Sequence, residues 1–318
     1  FIALSYCWGL LSSTQPFLKL TTSLASDWIG NQTPLAIKDL PATYQDLITV
    51  ARKLGVRYAW IDALCIIQDS PSDWTTESSK LHAIYSQAYC TIAPLLNRSV
   101  HESFLTSQLP TNSPAKIPFY TPSSPSDNND DETSTYTLTY RTTVRPNVLN
   151  LAHHTDHASQ LPPWSTRGWT FAEELLSTRI LYFSPSSPTC SMPSITYTCA
   201  AHTLSSNCPS IDVAPHRLVF RLLAGGKMDL RREWRKLVRR YSWRHLTYAR
   251  DKFPALGGLA RAVNEVLRDE YVAGLWKGDL VRGLLWWVLE PRKCLGEEGW
   301  RAPSWSWAGV EGRIGYRS

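Results

Sequence analysis

Three side chains near the start of the chain could contact a ligand. The first residues are apolar and predict a β-strand over residues 2–6, so Ser5, Tyr6 and Trp8 place a hydroxyl group and two aromatic rings at its carboxyl end. Gly9 permits a tight backbone turn directly after them. Ligands bind outside the carboxyl ends of strands in open α/β sheets, which makes these residues candidates for a binding site. Alternatively, Tyr6 and Trp8 are aromatic residues of the hydrophobic core.

A carboxylate, an aromatic ring and two cations form a second candidate group. The pattern predicts a helix that ends near residue 176, with Trp169 and Glu173 four residues apart on the same face. Arg167 and Arg179 flank this helix. Either Glu173 takes part in chemistry with these neighbours, or it forms an ion pair with one of the arginines on the helix surface.

The sequence patterns of the helices and strands that carry these residues predict an α/β fold. The run over residues 58–67 is apolar and rich in β-branched and aromatic residues, which predicts a buried central strand. Helical patterns precede it, up to Gly55, and follow it, from about Ser72 to Tyr89. Short connections between alternating helices and strands indicate a mostly parallel sheet flanked by helices. The predicted strands lie near residues 2–6, 58–67, 90–94 and 180–183.

Asp62 lies inside the predicted central strand. A buried carboxylate is costly unless it is hydrogen-bonded or paired. We therefore expect Asp62 to be mostly buried and to accept hydrogen bonds from backbone N–H groups or from a nearby Arg, Trp or Tyr. This role would be structural.

The remaining chain divides by composition. Residues 105–147 are rich in Ser, Thr, Pro and Asn and predict a mobile surface insertion. From about residue 206 the patterns predict a mainly helical C-terminal part, with a basic amphipathic helix near 233–241 and an aromatic-rich helical element over 271–289. Residues 302–308 alternate Trp with small residues, as an edge strand does.

Composition also limits the partners. The net charge of +6 is modest, and a solvated face is the usual role of a basic helix, so we expect no nucleic-acid partner. The seven cysteines show no metal-ligand spacing, which predicts reduced thiols and no metal site. We find no segment long enough to span a bilayer and no signal peptide. The chain starts with Phe1 rather than Met, so we interpret it as a fragment.

Three segments resemble the fungal heterokaryon-incompatibility (HET) domain, and they appear in the order of that family. They are Ala3-Leu-Ser-Tyr-Cys-Trp-Gly9, Ala59-Trp-Ile-Asp-Ala-Leu-Cys-Ile-Ile-Gln68 with Asp73-Trp74 and Glu77, and Arg167-Gly-Trp-Thr-Phe-Ala-Glu-Glu-Leu-Leu-Ser177. The resemblance implies a HET domain over residues 1–205 and an attached extension over 206–318. It also implies an effector of fungal self/non-self recognition that promotes programmed cell death.

The HET family has a proposed distant relationship to Toll/interleukin receptor (TIR) domains, and this chain is similar to them at two places. Ser5-Tyr6 resembles the end of the first TIR strand, and Trp169 with Glu173 resembles the Trp and Glu of TIR domains that cleave NAD. The similarity implies a TIR-like or flavodoxin-like core. It also implies that the protein is a candidate NAD glycohydrolase, with NAD as its substrate rather than as a resident cofactor.

Under this hypothesis Glu173 is the catalytic carboxylate, because cleavage of the nicotinamide–ribose bond passes through an oxocarbenium-like state that a negative charge stabilises. Glu77 is the second candidate acid, although a glutamate in a first helical turn is also favoured by the helix dipole. The candidates for binding NAD are residues that could bind a phosphate, stack on a base or let the backbone approach the substrate closely. They are Ser5, Tyr6, Trp8, Gly9, Arg167, Trp169 and Arg179.

A non-enzymatic signalling module is the competing hypothesis. In that case the same α/β domain would oligomerise or bind a protein partner of an incompatibility system, and exposed aromatic side chains would form interfaces. Both hypotheses predict a cytoplasmic protein. They differ at Glu173, which the enzyme places at a pocket beside residues 5–8 and the module places on the surface or in a structural pair.

Overall fold

The computed structural model describes residues 1–9, 17–31, 34–105, 116–118, 135–137, 162–184, 194–199, 203–205, 208–212, 229–292 and 301–317. The α-helices are α1 (Thr22–Ala25), α2 (Ala42–Lys53), α3 (Asp62–Cys65), α4 (Pro71–Gln87), α5 (Pro163–Thr166), α6 (Gly168–Leu176), α7 (Leu230–Tyr241), α8 (Pro254–Leu267) and α9 (Leu280–Gly283). The strands are β1 (Ile2–Leu4), β2 (Ala59–Trp60), β3 (Cys90–Pro94), β4 (Lys116–Pro118), β5 (Thr135–Thr137), β6 (Ile180–Ser184), β7 (Ser194–Thr198), β8 (Thr203–Ser205), β9 (Cys208–Asp212), β10 (Tyr271–Val272), β11 (Leu275–Trp276), β12 (Trp286–Pro291) and β13 (Gly312–Tyr316). Within these ranges, no helix has both the length and the apolar character needed to cross a membrane.

A seven-stranded sheet organises the domain, in the order β2-β1-β3-β6-β7-β8-β9. The strands β2, β1, β3 and β6 are parallel to their neighbours, and β7 to β9 continue the sheet in antiparallel fashion. Helices α2, α4 and α6 connect or flank the parallel strands. The prediction of an α/β fold with a parallel sheet flanked by helices is confirmed.

The side chains of β1 alternate between two hydrophobic clusters, as the period of a strand requires. Ile2 and Leu4 pack in one cluster with Leu47 of α2, whereas Ala3 packs in the other with Phe171 of α6. The second cluster continues into the C-terminal part, because α8 packs against both α4 and α6. The C-terminal part therefore covers the face of the sheet that carries α6.

The predicted central strand over residues 58–67 is wrong. Only Ala59 and Trp60 form a strand, at one edge of the sheet, and α3 follows as a single helical turn. Ala59 is exposed, whereas β1 and β3 are buried along their whole length. A chain turn lets the apolar residues Ile61, Ala63 and Ile66 all reach the core, so continuous burial does not require an extended backbone.

The C-terminal part is helical where the sequence predicts α7 and α8, but two predictions there are wrong. The segment predicted as an aromatic-rich helix over 271–289 forms β10, β11, α9 and the start of β12. The tight turn between β10 and β11 uses Gly274, whose φ of +91° disfavours other residues. The predicted edge strand over 302–308 is a series of turns that buries Trp307, and β13 follows it.

The predicted insertion over 105–147 lies mostly outside the described residues. Within it the structure describes residue 105 and the strands β4 and β5, which pair with each other in antiparallel fashion.

Candidate functional site

The first candidate group and the helix α6 meet at the carboxyl end of β1. The hydroxyl of Ser5 donates a hydrogen bond to Oε2 of Glu173. The indole Nε1 of Trp164 in turn donates to Oγ of Ser5 at 2.8 Å and to its carbonyl oxygen at 3.0 Å. Ser5 and Trp164 are buried, and Glu173 is half-buried. The structure thus places the partly exposed residue Glu173 at the carboxyl end of β1, a parallel strand inside the sheet.

Burial raises the pKa of Glu173 to about 7, from an ordinary value of 4.5. The hydrogen bonds from Ser5 and Tyr85 and the positive charge of Arg167 act in the opposite direction, while the negative charge of Asp62 adds to the rise. Near neutral pH the side chain therefore exists in both protonation states. A carboxyl group with this property can act as an acid, a base or a counter-charge.

Asp62 provides a second carboxylate in the same region. It begins α3, and its side chain accepts hydrogen bonds from Nε1 of Trp8 at 2.9 Å and from the backbone N–H of Ala63 at 2.7 Å. Burial raises its pKa, and a hydrogen bond with Tyr6 opposes the rise, as do those from Ala63 and Trp8. The donors are of the predicted kinds, namely a backbone N–H, a Trp and a Tyr.

Arg167 supplies a positive charge to this group without a direct side-chain hydrogen bond among the described residues. Its charge lowers the pKa values of Cys7, Asp62 and Glu173, so it lies near all three. Its Nε is buried, and no described residue accepts a hydrogen bond from it. A guanidinium group that is held near two carboxylates, but not paired with either, remains available to bind an anion.

The position of Arg167 depends on the C-terminal part. Its extended backbone separates α5 from α6, so that α6 begins at Gly168. It forms a parallel β-bridge with His245, and the N–H of Gly168 donates to the His245 carbonyl at 2.7 Å. The buried Arg244 donates to the carbonyl of Arg167 at 3.2 Å and pairs with Glu174. Hydrogen bonds and an ion pair from residues far along the chain thus hold the start of α6 in place; we call this set of contacts the clamp.

A known protein family matches the part of the chain that carries these residues. The family model described as heterokaryon incompatibility protein (HET) matches residues 1–173, more than half of the chain. The chain belongs to the HET family. Neither the curated proteins nor the solved structures compared with the chain give a significant match. Membership links the protein to heterokaryon incompatibility, and the matched residues include the whole Ser5–Trp164–Glu173 group.

The remaining site candidates of the HET domain lie in different places. Gly9 follows Trp8 with a φ of +112°, and a Cβ there would lie 3.3 Å from Cβ of Ser99, so this turn is both left-handed and close-packed. Tyr6 is buried, with its hydroxyl 2.7 Å from that of Tyr44, whereas Trp8 is half-buried. Of the two rings, Trp8 is therefore the one that can reach a ligand.

Three candidates make their described hydrogen bonds or ion pairs with residues other than Glu173. Trp169 donates to Asp251 of the C-terminal part at 3.3 Å. Arg179 is exposed and donates to the carbonyl of Tyr89, at the amino end of β6 and hence at the opposite edge of the parallel strands. Glu77 pairs with Lys80 at 2.7 Å on α4. Among the predicted residues, the candidate site therefore keeps Ser5, Trp8, Arg167 and Glu173.

Sequence reasoning missed three contributors to this site: Trp164, Tyr85 and Arg244. Trp164 follows two prolines and shows no periodicity that would assign its N–H to Ser5. Tyr85 has the pattern of a core residue of α4, and Arg244 lies in a basic segment where a solvated side chain is the usual expectation. Asp62 was recognised only as a structural residue. Among the described residues, no cluster of three or more His, Cys, Asp or Glu side chains could hold a metal ion.

Proposed function

We propose that this HET protein is an effector of fungal self/non-self recognition that promotes cell death by cleaving NAD at its nicotinamide–ribose bond. One observation carries the proposal: Glu173 meets Ser5 at the carboxyl end of the parallel strands, where the positive charge of Arg167 acts on the carboxylate. This edge of an α/β sheet is where ligands bind, and Glu173 is the carboxylate to which the similarity to TIR domains assigns catalysis.

The reaction consumes NAD and water and yields nicotinamide, ADP-ribose and a proton. As the C–N bond breaks, its electron pair neutralises the nicotinamide ring nitrogen, and positive charge develops on the ribose. The carboxylate of Glu173 stabilises this charge. Water then adds its oxygen to the ribose carbon, and Glu173 accepts the released proton and passes it to solvent. A pKa of about 7 suits both tasks at neutral pH.

Arg167 and Trp8 complete the proposed substrate site. The guanidinium of Arg167 binds a phosphate of the substrate. No described side chain pairs directly with this guanidinium, so the phosphate supplies its counter-charge. The half-buried ring of Trp8, held by its hydrogen bond to Asp62, provides a stacking surface for a base. The buried ring of Tyr6 supports Asp62 from behind.

A second candidate function is a signalling module that assembles with further copies of itself. It is favoured by the apolar side chains of Val281, Leu285 and Trp287, whose exposed fractions are 79%, 49% and 44% among the described residues. They lie on α9, in the link that follows it and at the start of β12, which among the described residues pairs only with β13. An apolar strand edge of this kind is a template for pairing with another chain. Enzymatic activity and assembly are compatible.

We also propose a cytoplasmic location and a protein partner from an incompatibility system. Among the described residues, Cys7 and Cys65 are free thiols, which suits a reducing compartment.

Expression in a fungal host tests the proposal. Wild-type protein should reduce viability and cellular NAD, whereas Glu173→Gln at the same protein level should do neither. Glu265→Gln, which changes an exposed glutamate of α8, is the matched control and should behave as the wild type. Normal growth and normal NAD with confirmed wild-type protein would contradict the proposed function. Loss of viability with unchanged NAD would favour the signalling module.

A further inference from the structure

The indole of Trp164 determines the direction of the hydrogen bond between Ser5 and Glu173. An indole N–H can donate but cannot accept, so Oγ of Ser5 must be the acceptor of the 2.8 Å contact with Trp164. The Ser5 hydroxyl has a single hydrogen, and Glu173 is the acceptor that receives it. Trp164 and Ser5 are each only 1% exposed, so water does not compete for either group.

We propose that Trp164 is a positioning residue that acts through Ser5 to hold Oε2 of Glu173 as an acceptor. The chain of donors runs from the Trp164 N–H to the Ser5 oxygen and from the Ser5 hydrogen to the carboxylate. It fixes the orientation of the carboxylate and favours its charged form. Where it concerns catalysis, this inference rests on the proposed function, but the hydrogen-bond chain itself does not.

Other groups also face Glu173 and must be kept constant in any test. Tyr85 of α4, whose hydroxyl donates to the Leu4 carbonyl at 3.2 Å, lowers the pKa of Glu173, Arg167 contributes a positive charge, and Asp62 of α3 contributes a negative one. Tyr85 and Asp62 make no described hydrogen bond with Trp164, and Arg167 contacts it only through its backbone N–H, which donates to the Trp164 carbonyl at 3.3 Å and does not involve the indole. The effect of Trp164 on Glu173 can therefore be separated from theirs, because it must pass through the Ser5 hydroxyl.

The ionisation of Glu173 can be followed through protein stability. For each protein, the quantity to follow is its free energy of unfolding minus that of the same protein carrying Glu173→Gln. This difference should fall as pH rises above 4.5 and should level off near the pKa of Glu173, about 7. In Trp164→Phe the hydroxyl of Ser5 is no longer held toward Glu173. We expect the levelling-off point to move upward by about one pH unit, since a hydrogen bond to a charged group favours that charge by this order.

A double-substitution cycle distinguishes this chain from simple packing. Ser5→Ala should move the levelling-off point upward, and Ser5→Thr, which keeps a hydroxyl, should not. Adding Trp164→Phe to Ser5→Ala should cause no further movement, because its route to Glu173 is already removed. Trp234→Phe is the matched control, since it removes a buried indole N–H that donates to Gly274 and should leave the pH profile unchanged.

An additive effect of the two substitutions, or an unchanged levelling-off point in Trp164→Phe, would overturn the proposal. Trp164→Met, which also lacks the N–H, serves as the second variant if Trp164→Phe does not fold. Nicotinamide release measured across pH on the same proteins provides the catalytic readout, whose acid limb should move in the same direction. A shifted stability profile in a protein that does not cleave NAD would support the hydrogen-bond chain and contradict the proposed function.

Discussion

The hydroxyl of Ser5 hydrogen-bonds to the carboxylate of Glu173, although 168 positions separate the two residues. Ser5 directly follows β1, and Glu173 lies in the second half of α6, so the bond joins the central sheet to the helix that covers it. A carboxylate with a raised pKa is costly to the folded state when it is charged. This cost is typical of residues that are placed for function rather than for stability.

Glu173→Gln is expected to stabilise the protein at pH 8. Because burial raises the pKa of Glu173 from 4.5 to about 7, the folded state binds more protons than the unfolded state between these values, and stability falls as pH rises through this window. The substitution removes this loss, by up to about 3 kcal/mol at pH 8. Thermal unfolding at pH 5 and pH 8 measures it. A stabilisation that is equally large at pH 5 would show that the ionisation of Glu173 is not its cause.

Asp62→Ala is expected to destabilise the fold. It leaves the N–H of Trp8 and the hydroxyl of Tyr6 without their carboxylate acceptor, at a cost of about 1–3 kcal/mol. Denaturant unfolding at pH 7 measures this cost, and Asp39→Ala, at an exposed position, is the control. A melting temperature equal to that of the wild type would remove Asp62 from the structural account.

Arg244→Met is expected to loosen the start of α6. Arg244 donates to the Arg167 carbonyl, to Thr170 at 3.0 Å and to Glu174, and its guanidinium lies 4.7 Å from the ring centre of Phe171. Loss of these contacts should cost about 3 kcal/mol, because Glu174 loses its partner.

The control for this clamp is Arg239→Met, which changes an exposed arginine of α7. If the clamp positions Arg167, NAD cleavage by Arg244→Met should decrease even under conditions where the protein remains folded. Full activity with reduced stability would limit Arg244 to a role in folding.

Two arginines that flank α6 should differ in their effect on substrate binding. Arg167→Met should raise KM for NAD about tenfold or more, since it removes a charge-assisted hydrogen bond to phosphate. Arg179→Met should leave KM unchanged, because Arg179 is exposed at the amino end of the parallel strands. Steady-state kinetics at two salt concentrations measures both. Equal effects of the two substitutions would contradict the placement of the phosphate at Arg167.

The longer helices and the strands β1, β3 and β6 follow from local patterns in the sequence. The apolar spacing of α2 and the basic amphipathic pattern of α7 predict both helices, since each buries one face. The run around Asp62 could not be assigned in this way, because a buried helical turn and a buried strand have the same apolar composition. The hairpin at Gly274 depends on a left-handed turn in a segment whose aromatic residues also suit a helix.

The site was predictable only in part. Ser5 and Trp8 follow a strand, so α/β topology places them at the carboxyl edge of the sheet. The resemblance to TIR domains, and no pattern of the helix, implies that Glu173 joins them there. Trp164, Tyr85 and Arg244 act through contacts between distant segments, and no periodicity reports such contacts. For the same reason, the sequence does not reveal that Arg179, although close to Glu173 along the chain, lies at the other edge of the sheet.

Nicotinamide release from NAD by the purified protein tests the central claim most directly. Wild type, Glu173→Gln and Glu265→Gln should be compared at matched concentrations, in dilute solution and under crowding that promotes assembly. The account predicts release by the wild type and by Glu265→Gln, and none above background by Glu173→Gln. Equal release by wild type and Glu173→Gln, or no release by the wild type in any assembled state, would contradict it.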